Sequence, residues 1–249
     1  MIELYHWEPN AACARVMIAL AEKGLQFQSR YVDVMAFEQH RPPFLKLNAA
    51  GETPVLVKDG EAYTESSYIC EYLDEAFAAS PLMPDAPLAR WRARAWQKYV
   101  DDHLAASVSD LAWDAYGQKF GDLEDIAERV SIKERRDVWI RMAQGLDDDV
   151  LDKARERVRL CVQKMESDLA RGPWLAGETY SLGDIAVYAY AAYLPKLTPE
   201  LVNAQAAPGT ADWLERMGAR PAVKAALSMG RTSDPFTAAA PGPEHVRWG

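Results

Sequence analysis

The chain reads as a mixed α/β domain in residues 1–79 followed by an all-helical domain in residues 88–233. Three observations predict this. Up to residue 77, short apolar strand patterns alternate with helical ones. The run Ser80-Pro81-Leu82-Met83-Pro84-Asp85-Ala86-Pro87 then breaks every periodic pattern and reads as a linker over residues 80–87. Beyond it, helical periodicity runs long, over residues 88–117, 134–143 and 150–170, before a Pro-, Ala- and Gly-rich tail expected to be irregular over 234–249.

The elements follow in order. Residues 2–7 form a strand, and residues 13–23 a helix stopped by Gly24 near its C-cap. Residues 27–32 form a second strand, and 37–47 a short polar helix interrupted at Pro42-Pro43. The apolar run Val55-Leu56-Val57 is a buried strand, Asp59-Gly60 a two-residue hairpin turn and residues 61–64 the returning strand. Tyr68, Ile69, Tyr72, Leu73 and Phe77 give one face of a helix over 66–77. This β-α-β-α-β-β-α order argues for a mixed sheet with helices on its faces. In the second domain, Ser181-Leu182-Gly183-Asp184 has the spacing of a capping box, with Asp in the usual Glu position. The Ser181 hydroxyl is expected to accept from the N–H three residues on. Ile185, Val187, Tyr188 and Tyr190 predict that the following helix is buried. Such a cap serves folding and contributes ~1 kcal/mol.

Composition narrows the function classes. The 249 residues, 49% hydrophobic and 26% charged, are ordinary for a globular protein with a sizeable core. A net charge of −9 argues against nucleic acid or an anionic membrane as partner. Cys13, Cys70 and Cys161 make no complete disulfide set and have no metal-like spacing, so no metal is expected. No apolar run is long enough to cross a bilayer. Residues 1–7 are short, acidic and strand-like rather than a leader, so the cytoplasm is the expected compartment.

The most informative pattern is Thr53-Pro54 followed, after one hairpin, by Glu65-Ser66. A residue before proline is held extended, and a cis Pro54 would turn the Thr53 backbone toward an extended ligand. Ser66 stands at a helix start, where a hydroxyl and free N–H groups suit a carboxylate. Glu65 beside it suits an ammonium. Together these groups describe a clamp for the charged end of an amino acid and the peptide that follows. An ordinary helix cap after an ordinary hairpin is the competing reading.

These residues resemble the glutathione transferases, whose Thr/Val-Pro turn and acidic-Ser pair sit in a thioredoxin-like N-terminal domain. The resemblance extends through Ile2-Glu3-Leu4-Tyr5-His6-Trp7, Glu22-Lys23-Gly24-Leu25-Gln26-Phe27, Asn48-Ala49-Ala50-Gly51 and Tyr180-Ser181-Leu182-Gly183-Asp184-Ile185-Ala186. More narrowly, Phe37-Glu38-Gln39-His40 and the stretch from Thr64 to Leu73 are similar to bacterial β-aryl etherases, which use glutathione to open lignin-derived ethers. The fold implied is an α/β thioredoxin-like domain followed by an all-α domain.

The resemblance also implies roles. Thr53 would pair with the cysteinyl backbone of glutathione, and Glu65 with Ser66 would take its γ-glutamyl end. His40 or Arg41 would face the glycine carboxylate. Trp7, Trp113 and Tyr116 would wall an aromatic substrate, with core packing as the alternative. Partners implied are glutathione, an aromatic ether or other hydrophobic electrophile, and a second identical or related chain.

Thiol activation is where the chain departs from the pattern. The family places a hydroxyl, thiol or amide donor near the start of the first helix; here Ala12 carries none. Cys13 and Asn10 are the substitutes within reach. Cys13 would act as a low-pKa thiol at a helix N-terminus or be a buried small hydrophobe; Asn10 would act as a donor or a turn residue. Three functions follow: a β-etherase, a thiol transferase or glutathione lyase using Cys13, and a non-catalytic or half-catalytic subunit of a heterodimer.

Overall fold

The computed structural model describes residues 1–116 and 123–232. The predicted tail and the end of the first long helical stretch, residue 117, lie outside them.

The first strand, β1 (Ile2–His6), buries Ile2, Leu4 and His6 on alternate positions, the period-2 signature of a half-buried strand. Helix α1 (Ala11–Glu22) is apolar nearly all round and accordingly packed on all sides. Then come β2 (Gln28–Tyr31), a 3₁₀ turn at Glu38–His40 and α2 (Pro42–Leu45). Pro42 and Pro43 begin α2 rather than interrupt a longer helix. Their missing N–H groups cost nothing in a first turn, and Phe37 (φ 55°) breaks the chain direction before it.

Strands β3 (Val55–Lys58) and β4 (Glu61–Tyr63) form the expected hairpin, with Asp59 at φ 54° and Gly60 at φ 88°. Two successive positive φ values mark the turn that matches strand twist and selects Asp-Gly. The sheet order is β2-β1-β3-β4, with β1 parallel to β2 and the other pairs antiparallel. Leu4 pairs with Leu56, and Leu56 with Tyr63. Helix α3 (Ser66–Ala76) packs on α1.

The second half comprises α4 (Pro87–Tyr99), a π-helical stretch Val100–Leu104, α5 (Ala105–Tyr116), α6 (Leu123–Arg129), α7 (Lys133–Gln144) and α8 (Asp148–Leu169). It closes with α9 (Leu182–Ala191), α10 (Leu194–Leu197), α11 (Pro208–Ala219) and α12 (Pro221–Leu227). Over its described residues, 88–116, the first long periodic stretch is thus two helices joined by a widened turn. Helix α9 is buried at every position and packs on α4 and α1. Its cap is the expected capping box: the Ser181 hydroxyl accepts from the backbone N–H of Asp184, and also from that of Gly183 (3.2 Å), while Asp184 Oδ2 accepts from Ser181 N–H (3.0 Å).

The domains meet along α1, which also touches α12. Lys23, at the end of α1, donates to Asp74 (2.9 Å) and to the carbonyls of Ala79 and Ser80, while Asp74 accepts from the N–H groups of Leu82 and Met83. A buried ion pair at this point holds the interdomain connection against the first domain. Among the described residues, no helix is long and apolar enough to cross a membrane, and no group of three or more His, Cys, Asp or Glu could hold a metal ion.

Candidate active site

The hairpin and α3 place the predicted clamp residues in one cavity of about 610 Å³, lined by Thr53, Pro54, Glu65, Ser66, Ser67 and Ala12, among others. The Thr53-Pro54 bond is cis. Glu65 caps α3 at φ 65° and ψ 101°, a conformation that costs a non-glycine residue roughly 1–3 kcal/mol and concentrates at functional sites. The Glu65 side chain makes no capping hydrogen bond, so among the described residues the first-turn N–H groups of α3, which carry the positive end of the helix dipole, have no competing side-chain acceptor where the turn borders the cavity.

Behind this turn lies a charge absent from the sequence-based reading. Arg15, 1% exposed on α1, donates through Nη1 to Ser66 Oγ (3.2 Å), to Ser67 Oγ and to Asp101 Oδ1 (2.9 Å). Ser67 in turn donates to Asp101 Oδ2 at 2.6 Å. The π-helical stretch supplies Asp101, and such widened turns recur where a helix must aim one side chain at a site. A buried guanidinium is costly unless paired, so an Arg amid the apolar residues of α1 was the available sequence signal. Arg15 fixes both hydroxyls, and Asp101, which lines the cavity, adds a second carboxylate suited to a ligand ammonium alongside exposed Glu65.

A second ionic pair lines the same cavity. Arg135 of α7, 3% exposed, donates to Glu52 Oε1. Burial pushes the Glu52 carboxyl up to about 7, with Arg135 opposing and Glu65 reinforcing the rise. The charged stretch from Glu134 to Trp139 therefore turns one cation inward. His40 does not line the cavity: it is 5% exposed, beside the Phe37 ring, and burial with the nearby Arg135 charge lowers its pKa to about 4. Its Nδ1 has no hydrogen-bond partner among the described residues. Gly51, at φ 67°, is required there, since a Cβ would lie 2.7 Å from that nitrogen. Arg41 is exposed and paired with Glu38.

The candidate activators and aromatics sit deeper. Asn10 caps α1 and is 3% exposed; Ala11 follows at φ 42°. Cys13 is also 3% exposed, and its Sγ donates to Thr53 Oγ1 at 3.5 Å. Trp7 and Trp113 are buried and Tyr116 half-buried, and all three join Cys13, Phe37 and Trp139 in one apolar cluster. Trp139 meets Trp113 and Phe37 edge-on, at 5.6 and 5.0 Å. None of the three predicted aromatics lines the cavity. The cluster adjoins it through the Cys13–Thr53 contact.

Residues 4–81 match the glutathione S-transferase N-terminal domain and residues 106–221 the C-terminal domain. Protein LigF of a Sphingobium species is 35% identical over 245 residues, covering 94% of this chain and 95% of that one. The crystal structure of beta-etherase LigF superposes with a TM-score of 0.85 over 92% of this chain and 99% of that chain. Glutathione S-transferase 3 of Zea mays is 28% identical over 228 residues, 89% of this chain and 90% of that protein. A homologue from sulfitobacter, solved with bound glutathione, shares the fold at TM-score 0.69 and 24% identity, covering 92% of this chain and 98% of that one. With both domains matched and a near-full-length relative at this identity, the chain belongs to the glutathione S-transferase family.

Proposed function

We propose that this chain binds glutathione and uses it as a β-etherase. Glutathione thiolate attacks the carbon bearing an aryloxy group, a C–S bond forms as the C–O bond breaks, and the aryl oxygen leaves with the electron pair as a phenolate that water protonates. The observation that carries the reading is the convergence of the cis Thr53-Pro54 turn, the Ser66 start of α3 and Asp101 in one cavity, in a chain alike over nearly its whole length to a beta-etherase. In this reading the γ-glutamyl carboxylate lies at Ser66 and the α3 N–H groups, and its ammonium at Glu65 or Asp101. The thiol lies near Thr53, beside the aromatic cluster that an aryl substrate would enter.

A second reading has its own observation. Ala12 lines the cavity where the family pattern calls for a thiol-activating donor, and Cys13 is turned inward. The chain would then be a half-catalytic subunit, needing a related partner. Exposed Tyr68 (72%), Leu88 (59%) and Trp91 (65%) on α3 and α4 offer an apolar face for either an identical or a related chain. A cysteine-type thiol transferase fits less well, because exchange requires an accessible thiolate.

The test is turnover of a model β-aryl ether of an aryl ketone by the purified chain with glutathione. Release of phenol with a stoichiometric thioether supports the etherase. Glutathione binding without turnover, restored by a related chain, supports the subunit. Absence of glutathione binding by calorimetry would overturn both.

A further inference from the structure

The two buried ionic groups at the cavity are separate from each other and from its exposed cations, Arg94 paired with Glu71 and Lys98 paired with Asp102. Ser66, Ser67, Asp101 and Arg15 are bonded to one another, and Glu52 is bonded to Arg135. Glutathione has a carboxylate at each end, so a clamp that places one at α3 needs a cation for the other. The N-terminal domain supplies none through the expected residues: His40 is buried off the cavity wall and Arg41 is exposed and engaged with Glu38. Arg135 does line the cavity, beside Asn48, Ala50 and the Glu52 that directly precedes Thr53.

We propose that Arg135, a residue of the helical domain, binds the glycine carboxylate of glutathione, and that Glu52 occupies this guanidinium when the ligand is absent. The assignment rests on the glutathione reading above. Its physical basis is the cost of burying a lone cation. Arg135 has only 4% of its side chain exposed, so it needs an anion in every state of the protein. A planar guanidinium matches a carboxylate in two-point geometry, which a neutral imidazole at His40 does not. Glu52 is a poor permanent partner, since burial and the neighbouring Glu65 both oppose its charge near neutral pH. A ligand carboxylate can therefore displace it, with Glu52 taking a proton or swinging toward the cavity mouth. The consequence is that the helical domain, not only the thioredoxin-like domain, selects glutathione over analogues altered at glycine.

Calorimetric titration with glutathione and with its glycine monoethyl ester tests this. The wild type should bind glutathione about 10- to 100-fold more tightly than the ester, the range for a hydrogen bond to a charged group. Arg135→Met should reduce that ratio to within about twofold while leaving the ester's affinity nearly unchanged. Glu52→Gln, a second variant that keeps the arginine, should retain or raise the ratio. A wild-type ratio in Arg135→Met, or a collapsed ratio in Glu52→Gln, overturns the proposal. If the wild type binds both ligands equally, the Arg135 assignment falls while glutathione binding stands; if it binds neither, the glutathione reading itself fails.

Discussion

Arg15 on α1 and Asp101 in the π-helical stretch meet at 2.9 Å across the domain boundary, directly behind the start of α3. Arg15 is 1% exposed, and its Nε and Nη2 have no partner among the described residues. Removing the carboxylate strands a buried cation, whereas removing the cation leaves a partly solvated carboxylate. Asp101→Asn is therefore expected to cost ~3 kcal/mol in urea unfolding, and Arg15→Met distinctly less. Equal losses, or the reverse order, would sink this account of the pair.

Ser66 is predicted to act on ligand rather than on folding. Among the described residues its hydroxyl accepts a single 3.2 Å contact, from Arg15, and Ser66 lies on the cavity wall. Ser66→Ala should weaken glutathione about tenfold while moving Tm by a degree or two. A large Tm drop with unchanged affinity would return Ser66 to a purely structural role.

Cys13 packs between the aromatic cluster and Thr53. Cys13→Ala should retain etherase turnover within a few-fold and lose ~1 kcal/mol of stability from the truncated contact. Native protein should resist alkylation, as Cys13, Cys70 and Cys161 are all buried. Rapid labelling of Cys13 together with loss of turnover in the alanine variant would instead restore the thiol-based reading.

His40 gives a pH signature. In the unfolded chain an imidazole takes a proton near 6.5; in the fold burial and Arg135 delay this to about 4. Between those values the unfolded state binds more protons, so stability falls as pH drops from 6.5 toward 4, by at most ~3 kcal/mol from this residue. Besides Arg135, the ring faces Phe37 and the Gly51 backbone, neither of which titrates. His40→Gln should flatten the acid limb of the stability profile; an unaltered limb would assign it to other groups.

The order of strands and helices, the Asp59-Gly60 hairpin, the Ser181 cap, the Thr53-Pro54 turn and the helix start at Glu65-Ser66 were legible in the sequence. Each is written in a few neighbouring residues through period, turn dihedrals or capping chemistry. Asp101 and Arg15 are 86 positions apart, and Arg135 reaches Glu52 from another domain, so no local pattern announces either pair. Tertiary packing also decided that His40 is buried, and that Trp7, Trp113 and Tyr116 gather beside the cavity rather than on its wall. Sequence alone determined the scaffold and the four residues, Thr53, Pro54, Glu65 and Ser66, that gather at one cavity. Burial decided which charges line that cavity, because a group's partners and dielectric surroundings exist only once the two domains have packed.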